Sequence, residues 1–155
     1  MSRMDRLSTS RSRLRLWLRI LGVSRVIEAE LRERLRALDT TLPRFDVMAA
    51  LSRSPQGLKM SALSGVLRVS NGNVTGIVDR LEVDGLVVRE PVEGDRRAYL
   101  VRLTPQGASD FARLAALHEA WVDELLGVVT AEDAEHLVEQ LQAVRNRLRK
   151  RETGE

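Results

Sequence analysis

The chain has no cysteine among its 155 residues and only two histidines, His118 and His136. The lack of cysteine excludes disulfide bonds, thiolate metal sites and cysteine redox sensing. Aromatic residues make up only 3% of the chain. There is also no long apolar run, because Arg15 and Arg19 interrupt the most apolar part of the N-terminal region. The N-terminus therefore predicts neither a signal peptide nor a membrane span, and a cytoplasmic location is expected by default.

Charge is distributed unevenly along the sequence. The formal net charge is only +3, but residues 1–38 contain ten arginines and four acidic residues, and residues 104–155 contain six basic and ten acidic residues. Opposite charges at the two ends favour packing of the termini against each other, within or between chains. Two solvated helix faces of unlike charge are the alternative.

Residues 1–10 are mostly polar or basic and are predicted to form a disordered tail. From about Ser10 to Leu38, apolar residues recur at spacings of four and three, which predicts one long helix. The stripe contains Leu16, Ile20, Val23, Ile27, Leu31, Leu35 and Leu38, widened by Leu14, Trp17 and Leu21. A helix that is apolar on more than one side favours a contact between chains, although a long core helix within one chain would show the same stripe.

The central part of the chain, residues 58–103, has the pattern of two helices followed by a two-stranded ribbon. Its first helix is predicted at residues 60–67, and Ser70 is expected to cap a second helix that ends near Val83. Strand-like segments at 86–89 and 98–103 flank a turn at residues 91–97. This order predicts a winged helix-turn-helix, which serves nucleic-acid binding far more often than catalysis.

The predicted helix 70–83 has two different sides. Its apolar side carries Val74, Ile77, Val78 and Leu81, and its polar side carries Gly72, Asn73, Thr75, Gly76, Asp79 and Arg80. Each glycine inside a helix costs about 1 kcal/mol relative to alanine. A helix face that keeps two glycines in spite of this cost is suited to close approach to a DNA groove. Asparagine can read adenine, arginine can read guanine, and threonine can contact a thymine methyl group or a phosphate. An ordinary solvated face is the alternative.

The turn at 91–97 carries the adjacent arginines Arg96 and Arg97. A narrow minor groove has an enhanced negative potential that attracts an inserted arginine. Together with the second helix, this turn predicts a DNA-binding surface. The predicted contacts are Lys59, Ser61, Ser70, Asn71, Asn73, Thr75, Arg80, Arg96 and Arg97.

A helix is predicted from Thr104 to about Val128, and a last helix follows the capping signal at Thr130. Together with the N-terminal helix, these two helices predict a helical dimerisation domain formed by residues 11–42 and 104–151, attached to a winged domain at 43–103.

Glu132, His136 and Glu139 share one helix face, which is one pattern of a metal site, but their spacing is also that of ordinary solvated pairs. We predict no cofactor and no catalysis. The fold class is mainly α with a small β-hairpin wing.

The sequence resembles the MarR family of bacterial transcriptional regulators. The resemblance rests on LPRFDVMAAL, on VTGIVDRLEVDGLVVRE and most specifically on GDRRAYLVRLTPQG, and it covers nearly the whole chain. It implies a homodimer on an inverted-repeat operator, with helix 70–83 in the major groove and the wing in the minor groove. It further implies that Asp79 pairs with Arg97, so that Asp79 and Asp95 brace the wing. Gly76 departs from the family, which often has a basic residue there.

The resemblance also implies a repressor that a small anionic aromatic effector releases from DNA. Trp17, Phe45, His118 and Trp121 would line its pocket, although for any one of them a role in the core or, for His118, in an interface is the more common explanation. The N-terminal arginines would suit a larger polyanion such as an aryl-CoA thioester. A protein-interaction module that does not bind DNA is the alternative function.

Overall fold

The computed structural model of the protein describes residues 3–67 and 73–154. In those residues the elements follow the order α1 (Arg3–Arg36), α2 (Leu42–Ser52), β1 (Leu58–Lys59), α3 (Met60–Val66), α4 (Val74–Val83), β2 (Val87–Val92), β3 (Asp95–Leu103), α5 (Pro105–Leu125) and α6 (Ala131–Thr153). The strands form one antiparallel sheet in the order β1-β3-β2. The predicted fold class is confirmed.

Helix α1 begins earlier than the sequence pattern suggests. Residues 3–10 are helical, so the predicted disordered tail is wrong for that segment. After α1 the chain turns through Asp39, which has a φ of 58°. The hydroxyl of Thr41 then accepts a hydrogen bond from the backbone N–H of Arg44, and Pro43 lies in the first turn of α2, where its fixed φ suits a helix.

Helix α4 is shorter than predicted. It begins at Val74 and has Asn73 as its N-cap, whereas residues 70–83 and a Ser70 cap were expected. Ser70 itself lies outside the described residues. The correction moves Asn73 from the face of the helix to its start. At the other end, Gly85 has a φ of 75°, and the N–H of Leu86 donates to the carbonyl of Leu81 at 2.9 Å, which closes the helix in a Schellman-type motif.

The hairpin has a shorter tip than the predicted seven-residue turn at 91–97. Strand β2 extends to Val92 and β3 starts at Asp95, which leaves Glu93 and Gly94 as the tip. Gly94 has a φ of 85°, a conformation that glycine adopts without strain. Arg96 and Arg97 therefore belong to the start of β3, where the register of the hairpin shifts between the Pro91–Tyr99 and Val92–Asp95 pairs.

A continuous apolar core holds residues 43–103, which we call the winged unit. The core side chains come from α2, α3, α4 and the sheet, and include Val47, Met48, Leu51, Leu63, Leu67, Val78, Leu81, Val87 and Val101. All of these are at most 1% exposed. Each large aliphatic side chain contributes roughly 1.5–3 kcal/mol by its burial, so this core fixes the position of α4 against the sheet.

A tight contact joins the winged unit to the start of α5. A Cβ atom on Gly107 would lie 1.9 Å from the carbonyl oxygen of Leu86, so only glycine fits there. The hydroxyl of Thr104 donates to the carbonyl of Gly85 at 2.6 Å and accepts from the N–H of Gly107 at 2.9 Å. The first turn of α5 is thereby attached to the end of α4.

The chain divides into two compact units, residues 1–119 and 120–155. Several large apolar side chains remain exposed on α1 in the first unit, among them Leu14, Leu16, Trp17, Leu18 and Val26. In the second unit α6 exposes Leu137, Leu141, Val144 and Leu148. The last four recur at helical spacing and form one stripe. No helix among the described residues is long and apolar enough to cross a membrane.

Candidate nucleic-acid interface

Helix α4 presents a polar side to solvent. Val78 and Leu81 are fully buried against the core, whereas Thr75, Asp79 and Arg80 are exposed. This division agrees with the predicted apolar and polar sides of the helix. The hydroxyl of Thr75 and the guanidinium of Arg80 are groups that can contact base edges or phosphates.

Asn73 is held by the first turn of α4. Its Oδ1 accepts a hydrogen bond from the N–H of Gly76 at 3.1 Å, and its backbone carbonyl accepts from the N–H of Ile77 at 2.9 Å. Gly76 lies close to the side-chain amide of Asn73, since a Cβ atom added at residue 76 would be 3.1 Å from Nδ2 of Asn73. The sequence pattern identified both residues but not this mutual contact.

Asp79 forms an ion pair with Arg89 on β2. The resemblance implied Arg97 as its partner, so that expectation is corrected. Arg89 is near the base of the hairpin, where the core holds β2 against α4, while Arg97 is close to the tip. The carboxylate of Asp79 therefore connects α4 to the base of the hairpin.

The hairpin carries exposed arginines near its tip. Arg96 and Arg97 are exposed and form no ion pair with any residue that the structure describes. Asp95 Oδ1 accepts from the backbone N–H of Arg97 at 3.0 Å, which shapes the tip. Across the strands, Glu90 pairs with Arg102. Two cations are therefore available at one end of a hairpin that ion pairs and backbone bonds restrain.

A shallow concavity of about 190 Å³ lies beside α4 and is lined by Thr41, Arg44, Asn73, Gly76, Ile77 and Arg80. Arg44 pairs with Asp84 at 2.6 Å, and within the described residues its Nε is buried without a hydrogen-bond partner. Sequence reasoning missed Arg44. Its pairing with a residue 40 positions away leaves no signal in the local pattern.

The other predicted DNA contacts fall at the edge of the same unit. Lys59 is exposed in β1, and Ser61 is exposed in the first turn of α3. The side chain of Lys59 makes no capping bond to α3, as the lack of a Ser or Thr there predicts. Ser70 and Asn71 lie outside the described residues.

Two of the four predicted pocket residues come together. The ring of His118 stacks on Phe45 at 4.7 Å between centroids, and the ring of Phe111, which is also on α5, lies 5.5 Å from that of Phe45. Trp17 is 55% exposed and makes no ring contact with a described residue. Trp121 belongs to the second compact unit. The structure thus joins α2 and α5 through Phe45 and His118.

Asp46 lies next to this stack and is partly buried. Burial raises the pKa of its carboxyl above the ordinary value of 3.8, and the negative charge of Glu28 raises it further. The positive charges of His118, Arg32 and Arg53 act in the opposite direction and lower that pKa. A carboxyl in this environment holds a proton more readily than an exposed aspartate does.

Helix α1 separates its charges along its length. Near its C-terminal end Arg32 pairs with Glu28 at 2.7 Å and Arg36 with Glu33 at 3.1 Å. In contrast, the exposed Arg11, Arg15 and Arg19 recur at a spacing of four and form no ion pair with any described residue. They make one basic side on the N-terminal half of α1.

Among the residues that the structure describes, no group of three or more acidic or histidine side chains is arranged to hold a metal ion. His136 instead lies 3.0 Å from the amide nitrogen of Gln140, one turn along α6.

The sequence model of the MarR family matches residues 38–98, which cover most of the winged unit. The chain is 33% identical to the HTH-type transcriptional regulator PecS of Dickeya dadantii over 60% of its length, and it spans 57% of the length of PecS. It is 29% identical to the transcriptional activatory protein BadR of Rhodopseudomonas palustris, over 90% of this chain and 82% of BadR.

The structure resembles a MarR variant from E. coli that was crystallised in complex with operator DNA. The TM-score is 0.70 at 30% identity, and the match covers 86% of this chain and 95% of that one. Regulators of this family bind DNA and act as dimers, and they are not enzymes. The chain therefore belongs to the MarR family of transcriptional regulators, and its winged helix-turn-helix is the DNA-binding part.

Proposed function

We propose that the protein is a ligand-responsive dimeric repressor that binds an inverted-repeat operator. Helix α4 enters the major groove, and the tip of the hairpin, residues 91–97, enters the minor groove. The observation that carries the proposal is that exposed Thr75 and Arg80 share one braced unit with Arg96 and Arg97, which have no ion-pair partner among the described residues. Since its partner would be the chromosome, we place the protein in the cytoplasm.

The fixed position of the hairpin relative to α4 supports simultaneous binding to the major and the minor groove. The Asp79–Arg89 ion pair and the shared core hold α4 and the hairpin as one body. Arginines fixed on such a body lose less conformational entropy on binding than arginines on a mobile loop. Two such units in a dimer would match two half-sites about 10 bp apart.

The dimer is proposed to form through residues 11–42 and 104–151. Exposed apolar side chains on α1 and the stripe on α6 are more extensive than the scattered apolar residues of a typical monomer surface. Burying both would give an interface of the kind that two intertwined helical domains form. Sedimentation equilibrium should give the mass of two chains, and a monomer at micromolar concentration would contradict this part.

The effector is proposed to be a small aromatic acid or its CoA thioester, bound beside the stack of Phe45 and His118. An aromatic ring could extend that stack, and the basic side of α1 could meet the phosphates of a thioester. A ligand there would contact both α2, which belongs to the winged unit, and α5, which does not. It could therefore change the position of one winged unit relative to the other.

DNA binding is tested by footprinting on the region upstream of the protein's own gene. We expect protection of an inverted repeat, and an affinity that falls steeply with salt, because each half of the dimer neutralises several phosphates. Replacing Arg80 by alanine should weaken binding, while Arg25→Ala, which removes an exposed arginine outside the winged unit, should not. A flat salt response without protection would favour the protein-interaction alternative.

The effector is tested separately with benzoate and benzoyl-CoA. Either compound should raise the melting temperature of the dimer and lower its affinity for the operator. Replacing Arg11, Arg15 and Arg19 together by glutamine should weaken the response to benzoyl-CoA and spare the response to benzoate. If neither compound changes stability or DNA affinity, this effector class is wrong and the DNA-binding part of the proposal stands.

A further inference from the structure

The concavity between the start of α2 and the side of α4 is chemically suited to an anion. It has a volume of about 190 Å³ and is lined by Thr41, Arg44, Asn73, Gly76, Ile77 and Arg80. This lining includes two arginines, one from each helix, and no acidic side chain. Guanidinium groups form their strongest hydrogen bonds with carboxylate and phosphate oxygens. The lining therefore selects the charge of its ligand.

Arg44 is held at this place by the protein itself. Its side chain is 18% exposed, and Nη2 donates to Oδ2 of Asp84, the C-cap of α4, at 2.6 Å. A guanidinium has five N–H donors, so one such bond uses only part of its capacity. Its Nε has no hydrogen-bond partner among the described residues. A guanidinium restrained in this way loses little conformational entropy when it binds a ligand.

Arg80 supplies the excess positive charge of the concavity. It is exposed and forms no ion pair with any residue that the structure describes. The single carboxylate of Asp84 balances one of the two arginines and leaves the other uncompensated. The group of three side chains therefore has a net charge of one positive unit, which one phosphate can neutralise.

The concavity lies on the side of α4 away from the contact with the wing. Successive residues of a helix are separated by about 100° around its axis, so Asp79, which contacts Arg89 of the wing, is turned by that angle from Arg80. A helix with its side chains is about 10–12 Å across, and the major groove is about 12 Å wide. Both sides of a helix in the groove therefore approach a phosphate backbone.

We propose that the concavity binds one backbone phosphate of the operator in each half-site, with Arg44 and Arg80 as the donors. The assignment rests on the proposed operator binding and adds to it a contact from α2, outside the reading helix and the wing. A phosphate contact positions the protein on the duplex and carries no sequence information of its own. Arg44 is thus a DNA-binding residue as well as the partner of Asp84.

The experiment is ethylation interference with the full-length protein on the DNA that it protects in the footprint. In wild type, ethylation of one phosphate in each half-site, on the backbone away from the wing, should prevent binding. Arg44→Gln should lose the interference at that phosphate and keep it elsewhere. Its affinity should fall about tenfold, and the slope of log affinity against log salt should fall by about two units, one for each half of the dimer.

Two variants serve as matched controls. Arg53→Gln removes the same charge from the exposed C-cap of α2, at the other end of the helix, and should keep the wild-type interference and salt slope. Asp84→Asn breaks the same ion pair as Arg44→Gln, so both should change the melting temperature equally. Asp84→Asn retains the guanidinium, however, and should keep the interference at the assigned phosphate.

An unchanged interference pattern in Arg44→Gln, with an equal loss of affinity in Asp84→Asn, would overturn the assignment and leave the ion pair a structural role only. The same guanidinium groups could instead hold a free anion. Inorganic phosphate at constant ionic strength would then raise the melting temperature of wild type and not of Arg44→Gln, without interference that depends on Arg44. Failure of the wild type to protect any DNA would contradict operator binding itself, which separates the two proposals.

Discussion

Asp79 on α4 forms an ion pair with Arg89 on β2, and this pair joins the helix that we propose to enter the major groove to the first strand of the wing. The side chain of Asp79 is 53% exposed and that of Arg89 is 26% exposed, so solvent screens the attraction. Such pairs contribute only about 0–1 kcal/mol to folding. The pair matters because it orients the hairpin that carries Arg96 and Arg97.

Replacing Asp79 by asparagine or Arg89 by glutamine should each lower operator affinity about five- to tenfold, with little change in melting temperature. The double variant should be no weaker than either single one, since the two residues act through one contact. Fluorescence anisotropy with a labelled operator provides the measurement. Glu90→Gln, which breaks the neighbouring pair with Arg102, is the matched control and should have a smaller effect. Additive losses would show that the two residues contact DNA independently.

Gly107→Ala should destabilise the protein by about 1–3 kcal/mol or more, because the new methyl group would overlap the carbonyl of Leu86 in a packed joint. Gly65→Ala is the control. It lies in α3 with no atom within 4 Å of the added Cβ, and alanine should stabilise that helix by about 1 kcal/mol. Urea denaturation measures both. Equal stability of the two variants would mean that α5 can move away from Leu86 without loss.

Most of the fold could be predicted because its determinants are local. Apolar spacing identified the buried side of α4, and the capping signal at Thr130 identified the start of α6. The start of α4 was missed because Ser70 and Asn73 are equally good caps in isolation. The structure places the cap at Asn73, next to the buried Val74.

The partners of charged residues were harder to predict. Arg89 and Arg97 both lie on the hairpin, and only the packing of β2 against α4 decides which of them meets Asp79. The pairing of Arg44 with Asp84 depends in the same way on tertiary structure. Residue type therefore identified several members of the site. The contacts that Asp79, Asn73 and Arg44 make could be determined only from the three-dimensional structure.

Arg97→Ala should weaken operator binding at least tenfold and reduce the slope of log affinity against log salt by about two units, since one cation is lost from each of the two wings of the dimer. The mass of the dimer should not change. Arg96→Ala tests which of the two adjacent arginines enters the groove and should have the smaller effect if Arg97 does. Unchanged affinity in both variants at physiological salt would contradict a wing bound in the minor groove.

The raised pKa of Asp46 predicts how stability depends on pH. Burial makes the charged carboxylate unfavourable in the folded state, so the folded protein holds the proton more tightly than the unfolded chain does. The favourable contribution of the protonated form is complete below pH 3.8 and is lost as pH rises through the folded pKa. Asp46→Asn removes the buried charge and should therefore be more stable than wild type at pH 7.

The difference between the two proteins should shrink as pH falls toward 3.8, where the wild-type carboxyl is increasingly protonated. Chemical denaturation at a series of pH values measures it, with Glu93→Gln at the exposed hairpin tip as the control for removing one negative charge. If Asp46→Asn were instead less stable at pH 7, the attraction of the carboxylate to His118, Arg32 and Arg53 would outweigh its burial. Asp46 would then act as an ionic link between α1, α2 and α5.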